Sequence, residues 1–198
     1  MAGRRSVARG LGKGGGPQGL AANRYLPGMA TPQGEFKVSV TKEDLVFAAA
    51  HFITFSGHRC ETLHGHNYRA SVVLEGALET DSWYVADFSV VKKIMRGLTA
   101  ELDHKVLLPT TNPIVAVTPD GARVQVAVNG EPRYTFPVRD CVLLPIPNTT
   151  VEMLAQHLAG RLRDELKAIG AKQLRAIELE VEENFGQSAT YREAITWD

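Results

Sequence analysis

The chain has 198 residues, 44% of them hydrophobic, enough for one ordinary core that folds without disulfide staples. Formal net charge is zero, so nothing overall points to nucleic acid or a membrane surface as partner. The balance is uneven, because residues 1–34 carry Arg4, Arg5, Arg9, Lys13 and Arg24 and no acid, which leaves 17 basic against 22 acidic residues in the remainder.

That first segment is also rich in glycine, with Gly10, Gly12, Gly14, Gly15, Gly16 and Gly19 among prolines 17, 27 and 32. It has too little apolar surface to offset its ordering entropy, and a disordered tail is expected over 1–34. A folded domain is expected over 35–198. Within it, Phe36, Val38 and Val40 alternate with polar residues, the signature of a half-buried strand. Val46 to Ile53 is apolar apart from His51, residues 54–63 read as a loop, and Tyr68 to Leu74 is a second strand. Together they predict a long hairpin with histidines near its loop end. Phe88, Val91, Ile94, Met95 and Leu98 fall at helical spacing behind Asp87 or Ser89 as cap, predicting a helix to about Leu102.

Residues 109–147 interrupt this pattern. Asn129-Gly130 between two alternating runs predicts a β-hairpin, inserted over about 112–141. A second helix is predicted over 148–169, with Asn148, Thr149 and Thr150 at its start, Glu152 in its first turn and a stripe of Leu154, Leu158, Leu162, Leu166 and Ile169. Ile177, Leu179 and Val181 then alternate with charges as a strand, and a last strand is predicted from Thr190. Strands, helices and strands in this order predict an α+β domain with an antiparallel sheet. No apolar run is long enough to span a membrane, no secretory segment is visible, and Cys60 and Cys141 lie far apart in sequence; a reduced, cytoplasmic setting is expected.

The chemistry concentrates in Cys60-Glu61-Thr62-Leu63-His64-Gly65-His66. Histidines two residues apart on a strand share a face. With His51 they make three imidazoles and an open position, the usual composition of a catalytic zinc site. Cys60, in a polar loop between Arg59 and Glu61, is expected to be exposed and reactive, its thiolate favoured beside a dication. Cys141 reads as a core cysteine. Asp103-His104 is either a charged helix terminus or a carboxylate tuning an imidazole for proton transfer. Glu183, where the strand alternation stops, is either a solvated turn residue or a carboxylate able to grip the N–H and NH2 edge of a pterin or guanine ring.

Phe47-Ala48-Ala49-Ala50-His51, Cys60-x-x-x-His64-Gly65-His66-Asn67-Tyr68, Asp87-Phe88, Leu102-Asp103-His104, Thr149-Thr150-x-Glu152 and Glu183 before Tyr191 together resemble the 6-pyruvoyl-tetrahydropterin synthase and 6-carboxy-tetrahydropterin synthase family over about residues 36–194. The resemblance implies the tunnelling fold (ββααββ, helices on one face of the sheet), assembled into trimers or hexamers as an oligomeric barrel. It implies zinc held by His51, His64 and His66, Cys60 as base, Asp103 and His104 as proton relay, and Glu183 with Thr149 and Thr150 as pterin anchors. The implied substrate is 7,8-dihydroneopterin triphosphate, and the cysteine-to-histidine spacing resembles the carboxy-synthase branch that feeds deazapurine (queuosine-type) synthesis. Glu61 also matches a branch that uses glutamate to cleave the side chain to 6-hydroxymethyl-dihydropterin. A pyruvoyl product, or a non-catalytic zinc- or pterin-binding protein on the same fold, completes the alternatives.

Overall fold

The structure is a computed structural model that describes residues 34–197, apart from 42, 44 and 57. The reading of residues 1–33 as a tail falls outside the described residues.

The spine of the domain is one long strand. In chain order the elements begin with β1 (Phe36–Val40), β2 (Val46–His51), β3 (Thr54–Phe55), β4 (Arg59–Cys60) and β5 (His64–Gly76). β5 has 13 residues, and its alternation buries Tyr68, Ala70, Val72 and Leu74 on one face. β1 and β2 both lie antiparallel along it, β1 against Val72–Gly76 and β2 against His64–Arg69. The predicted hairpin is therefore present, with its first arm divided in two. β3 and β4 form a small separate hairpin at the mouth.

Helix α1 (Phe88–Leu102) follows, with the Asp87 side chain accepting the Ser89 N–H as cap. Its buried face carries Val91, Met95, Leu98 and Leu102, whereas Phe88 is 48% exposed. β6 (Lys105–Pro109) then runs parallel to β2. Next come β7 (Val115–Asp120), β8 (Arg123–Val128) and β9 (Glu131–Pro137), a separate antiparallel sheet. β8 and β9 are the predicted Asn-Gly hairpin, both turn residues having positive φ (51° and 84°) as a type I′ turn requires. The insertion is three strands rather than two: β7 contains Pro119 and is exposed along its second half, so its alternation is weak in sequence.

β10 (Cys141–Leu144) pairs parallel with β6, and α2 (Val151–Ala168) leads to β11 (Leu174–Asn184) and β12 (Gln187–Ala194). The main sheet runs β10-β6-β2-β5-β11-β12, with β1 also on β5. It is a curled mixed sheet, which corrects the fully antiparallel expectation. β6 is reached through α1 and β10 through the inserted meander, and such crossovers return a strand parallel to its neighbour. Both strands are too short for alternation to reveal.

Both helices cover one sheet face. Leu154, Leu158, Leu162 and Leu166 of α2 pack with Val91, Met95 and Leu98 of α1 against the buried residues of β2, β5 and β11. Ile169 leaves that stripe: it is the C-terminal cap residue and is 57% exposed. A second apolar cluster joins Phe52 and Leu108 to Val115, Val124, Val126 and Val128, seating the meander beside the hairpin mouth. No described helix is long and apolar enough to cross a membrane.

Candidate active site

Strand register brings the three histidines together. His51 pairs directly with His64, and Ala49 with His66, so all three imidazoles leave the helix-covered face of β2 and β5. Their ring centroids are 4.7 Å (His51–His64), 5.2 Å (His51–His66) and 4.8 Å (His64–His66) apart, and one ligand atom from each falls within 4.8 Å of the others.

The outward nitrogens are already occupied. His51 Nδ1 lies 2.8 Å from the Thr149 carbonyl and His64 Nδ1 lies 2.9 Å from the Thr62 carbonyl. These carbonyls can only accept, so each Nδ1 carries its proton and leaves Nε2 as a lone pair. His51 Nε2 is buried and has no hydrogen-bond partner. Burial, helped by His64 and His66 and opposed by the Thr149 hydrogen bond, pushes the His51 pKa down to about 4. The imidazole is therefore neutral near pH 7, as a metal ligand must be. A buried, unpartnered imidazole lone pair beside two others is the donor set of a borderline-soft dication, and the residues fit zinc.

Thr149 is itself fully buried. Besides holding His51, its Oγ1 donates to the Phe52 carbonyl at 2.7 Å. Its carbonyl thus holds His51, while its hydroxyl holds the residue that follows His51. Thr150 is the α2 N-cap and makes no side-chain cap bond.

The base candidates stand on the segment that leads into His64. Glu61 Oε2 is 3.8 Å from His64 Nδ1. Cys60 is half-buried against the second apolar cluster, which corrects the expectation of an exposed thiol: the meander covers its loop. Burial raises the Cys60 pKa, with the Arg133 charge opposing and the Glu61 charge adding to the rise. Its Sγ donates to the Glu61 carbonyl at 3.5 Å. Cys141 is likewise half-buried and sits on the edge strand β10.

Asp103 and His104 are fastened to β2 at a single residue. Asp103 Oδ1 accepts from Ala48 N at 2.8 Å, and His104 N donates to Ala48 O at 2.6 Å. His104 adopts a left-handed φ of 58°, and its Nδ1 is 2.9 Å from Asp103 Oδ2. The Ala48 N–H, and then His104, hold the Asp103 carboxyl below its usual range. The His104 ring lines an open pocket of about 540 Å³ with Ala48, Ala50, Gly65, His66 and Asn67. Since Ala48 and Ala50 alternate with Ala49 and His51, this pocket opens mainly on the sheet face opposite the helices.

Glu183 lines a smaller pocket of about 260 Å³ with Gly65, His66, Asn67, Arg69 and Phe185. His66 borders both pockets. Two participants were missed in the sequence. Tyr68 stacks edge-on to His51 and His66, and its buried hydroxyl has no partner; burial, reinforced by the Glu183 charge, raises its pKa. Its place on the histidine face, two residues beyond His66, was the available signal. Arg133 of β9 reaches the Cys60 and Glu61 carbonyls, which no local pattern could reveal.

Comparison with known proteins adds the family context. The family model described as 6-pyruvoyl tetrahydropterin synthase matches residues 39–194. A Methanocaldococcus jannaschii protein named "Putative 6-carboxy-5,6,7,8-tetrahydropterin synthase" is 38% identical over 151 residues, 76% of this chain and 91% of that one. The dihydroneopterin monophosphate aldolase of Pyrococcus furiosus is 43% identical over 61 residues, 31% of this chain and 50% of that one. The crystal structure of Plasmodium vivax 6-pyruvoyltetrahydropterin synthase superposes with a TM-score of 0.75 at 32% identity, covering 82% of this chain and 99% of that one. That enzyme has also been solved as catalytic-residue mutants in which alanine or cysteine replaces a glutamate.

Proposed function

Because the chain belongs to the 6-pyruvoyl tetrahydropterin synthase family, we propose that it is a zinc-dependent lyase of the 6-carboxytetrahydropterin synthase type, acting on 7,8-dihydroneopterin triphosphate. The observation that carries this reading is the unpartnered, buried His51 Nε2 facing His64 and His66, with base candidates on the adjoining loop.

His51, His64 and His66 would hold the metal. Zinc in such a site supplies Lewis acidity, which polarises substrate oxygens and makes a bound hydroxyl more acidic. Thr149 and Thr62 orient His51 and His64 through their carbonyls. Glu183 accepts the N–H and NH2 edge of the pterin, a two-point contact that sets which side-chain carbon faces the loop. Cys60, as thiolate, removes a proton from a side-chain carbon and the triphosphate departs from the next carbon with the electron pair, leaving a three-carbon pyruvoyl side chain on the reduced ring; water then cleaves the bond between its two carbonyl carbons, so that a two-carbon aldehyde leaves and the 6-carboxylate remains. Asp103 holds the His104 ring for proton transfer, as its 2.9 Å contact supports. The pathway served is deazapurine synthesis, and the active unit is a homo-trimer or hexamer in the cytoplasm.

A second reading has its own observation. The Glu61 carboxylate lies 3.8 Å from His64 Nδ1, and burial raises rather than lowers the Cys60 thiol pKa. Glutamate as base favours carbon–carbon cleavage of the side chain to 6-hydroxymethyl-dihydropterin, the kind of reaction that the name of the Pyrococcus furiosus relative describes for that protein.

Incubating zinc-loaded protein with dihydroneopterin triphosphate and identifying the pterins by mass spectrometry tests both. A 6-carboxy-tetrahydropterin product is expected. 6-Hydroxymethyl-dihydropterin would establish the second reading, and unchanged substrate would leave a binding protein.

A further inference from the structure

The segment that carries both base candidates is held from outside. From just before β4 to the start of β5, the backbone of residues 58–63 presents polar groups that the main sheet does not pair, and the β8–β9 turn and β9 of the meander meet four of them. The Asn129 side chain donates to His58 O at 2.9 Å. Arg133 donates through one terminal nitrogen to Glu61 O at 3.0 Å and through the other to Cys60 O at 3.4 Å. Tyr134 Oη accepts from Leu63 N and from Arg133 Nε, both at 3.2 Å. The Tyr134 ring is itself fixed between Phe52 and Phe136, with centroids at 5.8 and 5.6 Å.

We propose that the inserted meander is a clamp on the base-bearing loop, with Arg133 as a positioning residue that locks the Cys60 and Glu61 backbone relative to His64. A guanidinium bridging two consecutive carbonyls fixes both peptide planes at once, which a single-point donor cannot do. Ordering a loop costs conformational entropy. Meeting that cost before substrate arrives leaves the base already aimed, and misplacement of about 1 Å can cost roughly 100-fold in rate. The inference rests on the proposed lyase reading for its catalytic consequence, while the clamp itself rests only on side-chain contacts to the backbone of residues 58–63.

The test compares Arg133→Ala, Arg133→Lys and Tyr134→Phe in the full, zinc-loaded chain by steady-state kinetics and by amide hydrogen exchange. Arg133→Ala is expected to lower kcat by about 10- to 100-fold with KM little changed. Amides of residues 58–63 exchange faster while those of β11 and α2 do not, and added guanidinium ion restores part of both. Arg133→Lys, which keeps the charge without the two-pronged donor, behaves like Arg133→Ala. Tyr134→Phe, which keeps the ring and loses one acceptor, releases the same amides and decides the matter if the arginine variants fail to fold. Unchanged exchange in this segment overturns the clamp, as does a fully active Arg133→Lys. If the native protein turns over no pterin, the lyase reading falls and the exchange arm still decides the clamp.

Discussion

His51 sits where β2 ends, and its two nitrogens have opposite duties. Nδ1 is bound to the Thr149 carbonyl, and Nε2 is buried without a partner. Such an orphan is costly unless something accepts its lone pair. Native protein is therefore expected to carry about one zinc per chain, and a His64→Ala, His66→Ala double variant to lose it, measured by elemental analysis. The two base candidates make a sharper test. Under the carboxy-synthase reading, Cys60→Ala lowers triphosphate elimination by about 10²–10⁴-fold with zinc retained, and Glu61→Ala is mild. The reverse order, scored on both pterin products, transfers the role to Glu61. The Cys60–Glu61–His64 spacing was legible, but which side chain turns toward His64 was not, because that depends on a loop held by residues about 70 positions away.

At the scale of elements, β5 organises everything: it pairs with β1, β2 and β11. Its last residue, Gly76, lies where β11 begins, and a Cβ there would stand 2.5 Å from Gln173 O and 3.0 Å from Leu174 Cα. Both neighbours are backbone, which cannot step aside. Gly76→Ala is expected to destabilise the protein by about 1–3 kcal/mol, read as a lowered denaturant midpoint. One residue earlier, the buried Glu75 meets Lys37 of β1 at 2.6 Å and Arg192 of β12 at 2.8 Å. Lys37 first, and then Arg192, hold its carboxyl below the usual range. A carboxylate lowered by folding contributes stability above its unfolded value, about 4.5, and that contribution fades as pH falls through the folded value. Glu75→Gln should therefore lower Tm at pH 7, with the gap to native protein closing below about pH 4.5. A gap independent of pH would show that the ion pairs add nothing.

Among the described residues, β12 and β10 stand at the two ends of the main sheet, and exposed edges invite pairing with another chain. The face opposite the helices carries the His104 pocket and the polar side chains of β5, β11 and β12. Closure of several such sheets into a barrel would cover both edge and face. A homo-trimer or hexamer is expected by light scattering at micromolar concentration, and a monomer there would end the barrel proposal.

The amino-acid sequence alone determined the periodic elements and the chemistry tied to local spacing. α1 and α2 followed from 3.6-residue stripes and their caps, β11 from alternation, the β8–β9 turn from Asn129-Gly130, and the histidine face from a two-residue step. Each is a property of neighbours along the chain. Tertiary structure decided what depends on distant backbone. It made β6 and β10 parallel, added β7 to the predicted hairpin, buried half of Cys60 beneath the meander, and gave Thr149 the task of holding His51. It also set Arg133 on the loop that carries the two base candidates. Those outcomes come from hydrogen bonds and packing between segments far apart in the chain, which residue order specifies only once the chain has folded.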